Sequence, residues 1–152
     1  MTIYLVRHAK AGSRSGYDGP DDQRPLSKNG RRQSAALAEA LAPTGVTRIL
    51  SSQYVRCTQT VDPLAERLGL SVDLSDALAE GAPFADALEL VEKFADEDVV
   101  LCSHGDVLGD LVHHCEKAGI ELESDRLEKA STWILDFAGG SIVRARYVPP
   151  PT

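Results

Sequence analysis

Apolar and polar positions along the chain predict an alternation of strands and helices. Short apolar runs at 3–6, 47–50 and 98–102 are each followed by polar residues, which is typical of buried strands. Amphipathic segments between and after them predict helices at about 28–42, from Ser51 or Ser52 to about 68, and at 83–94 and 106–117. Ser27 is placed to cap the first helix, and Ser51 or Ser52 to cap the second.

The remaining segments predict a smaller strand, a hairpin and a loop. A minor strand is predicted at 71–74, and residues 132–137 and 141–147 alternate in strand fashion around two glycines. Residues 11–25 are rich in Gly, Ser, Asp and Pro and predict a loop. Pro63 either kinks the second helix or, with Asp62 as a cap, starts a new one.

This order of elements predicts an α/β fold class with three layers, α/β/α. Strands that alternate with helices build a mostly parallel central sheet with helices on both faces, and the C-terminal hairpin adds antiparallel character. The chain has 152 residues, the size of one compact domain. The predicted boundaries are a domain at 1–148 and a Pro-rich tail at 149–152.

Composition narrows the classes of partner. There are 16 Lys and Arg against 23 Asp and Glu, so the net charge of −7 disfavours nucleic-acid polymers and anionic membranes. No apolar run is long enough to cross a bilayer, and the N-terminus lacks the basic leader of a signal peptide. Three cysteines without a CxxC pattern predict neither a disulfide framework nor a zinc site, and favour a cytoplasmic location.

Polar clusters follow three of the predicted strands. The carboxyl ends of neighbouring parallel strands meet at one sheet edge, where ligands bind, so two Arg and two His should converge there. Two helix N-termini, which favour anions, arrive at the same edge. The clusters are Arg7-His8, Ser51-Ser52 with Arg56 one turn later, and Ser103-His104-Gly105.

Arginine and histidine together suit a phosphoryl group. Arg presents a charged planar fork to phosphate oxygens, and neutral imidazole can attack phosphorus to form a covalent intermediate. A second His that carries a proton adds a donor to the phosphoryl oxygens, and such electrostatic stabilisation dominates phosphoryl transfer.

Four segments in this order resemble the histidine phosphatase superfamily, in its phosphoglycerate-mutase-like branch. They are LVRHA at 5–9, RPLSKNG at 24–30, SSQYVRCTQT at 51–60 and SHG at 103–105. The short length is similar to that of SixA-type phosphohistidine phosphatases. The C-terminal half, with Cys115-Glu116 and Ser131-Thr132-Trp133, also resembles the phosphatase-like domain fused to Nudix hydrolases in mycobacteria.

The resemblance implies a phosphoglycerate-mutase-like fold and a phosphatase that works through a phosphohistidine intermediate. It implies His8 as the nucleophile, Arg7, Arg56 and His104 as the phosphate pocket, and neither metal nor cofactor. Ala9 stands where the family usually has Gly, which is tolerated unless the position needs a positive φ. A phosphoglycerate-type mutase and a catalytically silent phosphate-binding module are the alternatives.

The proton donor is less well defined by the sequence. Glu80 is the nearest match to the family's acid, and its loop shows no obvious reason for strong ionisation, so it is either the acid or an exposed loop charge. Asp106, near a helix start, is expected to act as a cap, and its alternative role is that of the acid. SixA-type proteins have a reduced or absent acid, so the site could also lack one.

Two other groups allow more than one interpretation. Arg24 either pairs with Asp21 or Asp22 or contributes to substrate binding at the mouth of the site. His113-His114-Cys115 looks like a metal cluster, but adjacent helical residues point in different directions and cannot share one ion. The substrate is expected to be a phosphorylated small molecule or a phosphohistidine protein, and the sequence does not fix the oligomeric state.

Overall fold

The computed structural model describes residues 1–151 and places six strands and four helices around one sheet. The strands are β1 (Thr2–Arg7), β2 (Arg48–Ser51), β3 (Val72–Leu74), β4 (Val99–Ser103), β5 (Thr132–Ala138) and β6 (Ser141–Val148). The helices are α1 (Lys28–Leu41), α2 (Val55–Leu68), α3 (Phe84–Lys93) and α4 (Gly105–Lys117).

The sheet has the strand order β3-β2-β4-β1-β5-β6. The four strands from β3 to β1 are parallel, whereas β5 pairs antiparallel with β1 and β6 antiparallel with β5. The prediction of a mostly parallel sheet that ends in an antiparallel hairpin is confirmed.

Two apolar layers cover the two faces of the sheet. Because successive strand residues face opposite sides, Leu5 packs in the layer formed with α3 and α4, while Val6 packs in the layer formed with α1 and α2. All five residues of β4 are buried, as expected for a strand covered on both faces. The three-layer architecture follows directly from this division.

The start of α2 differs from the prediction. Ser51 belongs to β2, and the N-cap of α2 is Tyr54, which offers no side-chain hydrogen bond. The expectation that Ser51 or Ser52 caps the helix is therefore wrong, and the Ser52 hydroxyl contacts the polar edge of the sheet instead. Pro63 lies inside one continuous helix, so no second helix starts there.

Ser27 joins the start of α1 to the segment that follows β1. Its hydroxyl accepts a hydrogen bond from the Gly30 N–H at 3.1 Å and donates to the Lys10 carbonyl at 3.0 Å, which confirms the predicted cap. A Cβ atom on Gly30 would lie 2.0 Å from that same carbonyl oxygen. Close approach of two backbones therefore requires glycine at this helical position.

The C-terminal end of the chain lies beside α1. Pro149 and Pro151 line an apolar groove together with Tyr4 and Leu37, while Thr152 lies outside the described residues. The boundary between domain and tail stays a prediction. Within residues 1–151, no helix has both the length and the apolar character needed to span a membrane.

The close contact at Gly30 can be tested by one substitution and a matched control. Gly30→Ala should lower the free energy of unfolding by roughly 1–3 kcal/mol, because the added methyl group meets backbone that cannot easily move. Urea unfolding monitored by circular dichroism measures the change.

Gly109→Ala, also within a helix, is the control. Its Cβ would meet only the Leu127 side chain, at 3.9 Å, so the higher helix propensity of alanine should stabilise the chain by up to about 1 kcal/mol. Equal effects of the two substitutions would show that propensity, and not the contact with Lys10, sets the requirement at Gly30.

Candidate active site

The predicted convergence of polar residues occurs at the carboxyl ends of β1, β2 and β4. Arg7 and Ser103 are register partners at the ends of β1 and β4. A cleft of about 990 Å³ opens beside them, and every residue that the sequence predicted for the site lines it. These residues are Arg7, His8, Arg24, Arg56, Glu80 and His104, and Asp106, which was expected to cap a helix, lines the cleft as well.

His8 is held as a neutral imidazole. Its Nδ1 lies 2.8 Å from the Ala9 carbonyl, and because a carbonyl can only accept, Nδ1 carries the proton and Nε2 keeps its lone pair. Burial, and after it the charges of His104, Arg56 and Arg7, lower the pKa of His8 to about 3, although the bond to Ala9 opposes the shift. The lone pair of Nε2 is therefore free for attack at neutral pH.

The backbone around His8 is fixed by two further bonds. The His8 N–H donates to the Ser103 carbonyl at 3.0 Å, and the Ala9 N–H donates to Thr60 Oγ1 at 2.8 Å. Ala9 is buried and does not adopt a positive φ, so alanine is tolerated where the family usually has glycine. Thr60 thus connects the segment that carries His8 to α2.

His104 is oriented by the residues at the start of α2. The Ser52 hydroxyl accepts a hydrogen bond from the Tyr54 N–H at 3.2 Å and contacts His104 Nε2 at 2.9 Å. The Tyr54 ring packs edge-on against the imidazole, with 4.6 Å between the ring centroids. These contacts engage Nε2 and leave Nδ1 as the nitrogen available to a ligand.

The two arginines are anchored through the ends of their guanidinium groups. Arg7 Nη1 donates to the Leu127 carbonyl at 2.6 Å, and the group packs across Gly105, where a Cβ would come within 3.0 Å of Arg7 Cζ. Arg56 Nη1 donates to the Asp21 carbonyl at 2.9 Å. Glycine after His104 is therefore needed to make room for Arg7.

Three buried nitrogens at the site have no hydrogen-bond partner among residues 1–151. They are Arg7 Nε, Arg56 Nε and His104 Nδ1. A buried donor without an acceptor costs about 1–3 kcal/mol. Arg7 Nη1, both terminal nitrogens of Arg56 and His104 Nε2 are already held by protein groups. Donors of this kind, on side chains around a neutral imidazole, are suited to the oxygens of a phosphoryl group.

The surroundings of Glu80 are more positive than the sequence suggested. Its Oε1 lies 3.3 Å from Arg56 Nη2, 3.7 Å from Arg14 Nη2 and 3.9 Å from His104 Nδ1. Two guanidinium groups and an imidazole therefore surround a carboxyl group for which the sequence indicated no partner. Glu80 nevertheless lies at the cleft, beside the predicted phosphate pocket.

Asp106 does not cap its own helix. The N-cap of α4 is His104, without a side-chain hydrogen bond, and Asp106 Oδ2 instead accepts the Gly81 N–H at 2.8 Å. The predicted capping role is therefore wrong. Asp106 connects α4 to the turn that carries Glu80.

Arg24 pairs with Asp21, one of the two partners that the sequence suggested, and it lies at the cleft, while its role in substrate binding stays a prediction. Arg24 is only 7% exposed and lines the cleft. Its Nε lies 3.1 Å from Asp21 Oδ1, and its Nη1 donates to the Gly12 carbonyl. Asp21 pairs with Arg56 as well, at 3.1 Å, and with Arg14 at 3.7 Å. Partial burial raises the pKa of Asp21. Hydrogen bonds from Arg24 and Arg56 outweigh this effect and hold the pKa of Asp21 below its usual value.

Several residues of the site were not predicted as such. Lys10 and Lys129 line the cleft, Ser52 orients His104, and Thr60 holds Ala9. Ser52 and Thr60 belong to the motif at 51–60, which was a usable signal. Nothing in the local sequence marks Lys129.

The adjacent residues His113, His114 and Cys115 occupy three different environments. His113 is exposed and lies 3.8 Å from Glu116, His114 packs against Phe84, and Cys115 is buried in the core. Within residues 1–151, no group of three or more His, Cys, Asp or Glu side chains is arranged to hold a metal ion.

Solved structures of phosphatases share this fold. The protein histidine phosphatase SixA in complex with tungstate superposes with a TM-score of 0.79 at 19% identity, over 100% of this chain and 97% of that one. A mycobacterial glucosyl-3-phosphoglycerate phosphatase with VO3 gives a TM-score of 0.75 at 21% identity, over 99% of both chains. The architecture is that of the phosphoglycerate-mutase-like phosphatases.

The sequence comparisons establish the family. The model of the Histidine phosphatase superfamily (branch 1) matches residues 3–83, more than half of the chain. This chain belongs to the histidine phosphatase superfamily.

Curated relatives are longer than this chain. It is 36% identical to an 8-oxo-(d)GTP phosphatase of Mycolicibacterium smegmatis, over 99% of this chain and 48% of the relative. A probable phosphoglycerate mutase of Cronobacter sakazakii is 30% identical over 53% of this chain and 38% of its own length. The chain thus spans about half or less of the length of these relatives.

The neutral state of His8 predicts a contribution to acid sensitivity. The unfolded chain protonates this histidine near pH 6.5, whereas the folded chain does so only near pH 3. Between these values the unfolded state binds more protons, so His8 lowers the free energy of unfolding by up to about 1.4 kcal/mol for each pH unit of acidification.

His8→Asn should remove this decrease in the free energy of unfolding between pH 7 and pH 4.5. Urea unfolding at the two pH values measures the difference. His113→Asn, on the exposed surface of α4, is the matched control. If His8→Asn lost as much stability on acidification as the wild type, the folded protein would not be holding His8 neutral.

Proposed function

We propose that this domain is a phosphatase that transfers a phosphoryl group from its substrate to His8 Nε2 and then to water. The observation that carries the proposal is the set of three buried nitrogens without a hydrogen-bond partner among residues 1–151, Arg7 Nε, Arg56 Nε and His104 Nδ1, around a neutral imidazole. A bound phosphoryl group would supply the acceptors that these nitrogens lack.

The reaction has two steps. In the first, the Nε2 lone pair attacks phosphorus, the P–N bond forms, and the bond from phosphorus to the leaving group breaks. In the second, water attacks the phosphohistidine, releasing inorganic phosphate and restoring His8. Arg7, Arg56 and His104 neutralise the charge on the phosphoryl oxygens in both steps.

Glu80 is the residue we propose as proton donor to the leaving group and then as base for the water. Its carboxyl group lies 3.3 Å from Arg56 Nη2 and 3.9 Å from His104 Nδ1, next to where those residues would hold the phosphoryl group. Asp106 supports this placement because it binds the backbone of the Glu80 turn. Arg24 contributes by bracing Asp21 and the Gly12 carbonyl at the mouth of the cleft.

The substrate is a phosphomonoester or a phosphohistidine, and we propose that the reaction needs no metal and takes place in the cytoplasm. The name of the Mycolicibacterium smegmatis relative, an 8-oxo-(d)GTP phosphatase, places nucleotides among the compounds to test. A mutase would return the phosphoryl group to a second hydroxyl of the substrate instead of to water. A silent module would bind phosphate without turnover.

The nucleophile is tested by His8→Asn. Turnover of p-nitrophenyl phosphate should fall by at least roughly three orders of magnitude, because no other group replaces the imidazole lone pair. Wild type quenched under non-acidic conditions should carry a phosphoryl group on the peptide that contains His8, as measured by mass spectrometry.

His113→Asn is again the control and should turn over the substrate like the wild type, with or without a chelator. Activity of His8→Asn close to that of the wild type would refute the mechanism. Phosphate binding without turnover in the wild type would favour the silent module, and transfer to an added alcohol in preference to water would favour the mutase.

The proton donor is tested by Glu80→Gln with two kinds of leaving group. An alkyl phosphate leaves as a strongly basic alkoxide, so loss of the acid should slow its hydrolysis by roughly two to four orders of magnitude. p-Nitrophenyl phosphate and phosphohistidine release much better leaving groups and should be affected far less. Steady-state kinetics on the three substrates measure the difference.

Glu116→Gln, at the far end of α4, controls for the loss of one negative charge. If Glu80→Gln slowed all three substrates equally, Glu80 would act through its pairing with Arg56 and not as an acid. If the wild type hydrolysed only the activated substrates, the site would lack a working acid, and a protein phosphohistidine would become the favoured substrate.

A further inference from the structure

The cleft carries more positive charge than one phosphoryl group engages. Besides Arg7 and Arg56, which belong to the proposed phosphate pocket, Lys10 and Lys129 also line it. Arg14 and Arg24 at the same cleft are paired with Asp21, but neither lysine ammonium group has a hydrogen bond or ion pair among residues 1–151. The two lysines are therefore cations without a protein counter-ion.

The charges that act most strongly on Lys129 are positive. Burial, and after it the charges of Arg7, Arg24, Lys10 and Arg56, lower the pKa of Lys129. A chain with a net charge of −7 offers many carboxylates that could have been placed beside this lysine. An unpaired cluster of cations in an acidic protein concentrates anions at the cleft.

The backbone holds Lys129 beside the nucleophile. The N–H of the next residue, Ala130, lies 3.1 Å from the carbonyl oxygens of both Arg7 and His8, and the Leu127 carbonyl accepts from Arg7 Nη1. Ala130 has φ of 66°, and no other non-glycine residue within 1–151 has a positive φ. Backbone strain of this kind clusters at functional sites, where surrounding structure enforces it.

The backbone of Lys10, two residues after His8, is fixed as well. Its N–H donates to Gln33 Oε1 at 3.0 Å, and its carbonyl accepts from the Ser27 N–H at 2.9 Å. The backbone is thus anchored to α1, while the ammonium group remains unpaired at the cleft. Both lysines are therefore exposed side chains on backbone that is anchored next to His8.

We propose that Lys10 and Lys129 form a second anion subsite, so that the substrate is a small molecule whose leaving group carries its own phosphate or carboxylate. The proposal rests on the proposed function and narrows its substrate class. The cleft of about 990 Å³ has room for such a compound, being at the upper end of the usual range for small-molecule sites. A phosphohistidine, whose leaving imidazole is not anionic, would leave both lysines unused.

The subsite is tested by comparing leaving groups. Phenyl phosphate has an uncharged leaving group, 2-phosphoglycolate adds a carboxylate, and adenosine diphosphate adds a second phosphate. Lys129→Gln and Lys10→Gln should each lower kcat/KM for at least one of the doubly anionic compounds by about 10- to 100-fold, the scale of one charged hydrogen bond. The decrease in kcat/KM for phenyl phosphate should be at least fivefold smaller. A loss on 2-phosphoglycolate would show that the subsite binds a carboxylate, and a loss on adenosine diphosphate would show that it binds a phosphate.

Lys117→Gln is the matched control for net charge. It lies at the C-terminal end of α4, about 18 Å along the helix from the end that faces the cleft. It should change kcat/KM for all three compounds by the same factor. Equal losses on phenyl phosphate and on both doubly anionic compounds in Lys129→Gln and Lys10→Gln would overturn the subsite.

Titration calorimetry tests the subsite without relying on turnover. Pyrophosphate should bind the wild type at least about tenfold more tightly than inorganic phosphate, and Lys129→Gln should reduce that ratio. Equal affinities in the wild type would overturn the subsite even if His8-dependent hydrolysis of phenyl phosphate proceeded normally. Conversely, a pyrophosphate preference without any phosphohistidine would refute the proposed mechanism and leave the subsite standing.

Discussion

Buried polar nitrogens with no protein partner are costly, and within residues 1–151 the neighbourhood of His8 holds three of them, on Arg7, Arg56 and His104. Much of the adjacent structure keeps these donors in place. The Leu127 carbonyl and the space left by Gly105 position Arg7, and the Ser52 hydroxyl turns His104. The fold therefore maintains a set of groups that are unfavourable without an anion, which is the physical basis for assigning a phosphate site to this sheet edge.

The same cations serve the nucleophile and the ligand. Positive charge near an imidazole disfavours its protonation, so the groups that would bind the phosphoryl oxygens also help to keep His8 neutral. Burial adds to the effect, and the Ala9 carbonyl fixes which nitrogen carries the proton. Removing either arginine would therefore weaken the binding of the phosphoryl oxygens and would also raise the pKa of His8.

The sequence predicted the layers, the sheet and the four central residues because these depend on local signals. A buried strand followed directly by polar residues locates Arg7, His8 and His104 at the sheet edge without knowledge of the loops. Contacts made by loops were not predictable in this way. Asp106 reaches the backbone of Gly81, 25 residues away, and Lys129 approaches His8 only through the path of the chain after α4.

The cations of the cleft differ in how far carboxylates offset their charge. Asp21 and Glu80 both contact Arg56 Nη2. These two carboxylates therefore offset the arginine charge next to Glu80, the proposed proton donor. No comparable carboxylate offsets Lys10 and Lys129, although Asp and Glu outnumber Lys and Arg in the chain by 23 to 16. Because an unneutralised cation attracts anions and a neutralised one does so much less, the uneven distribution of carboxylates directs a second negative group of the substrate toward the lysines.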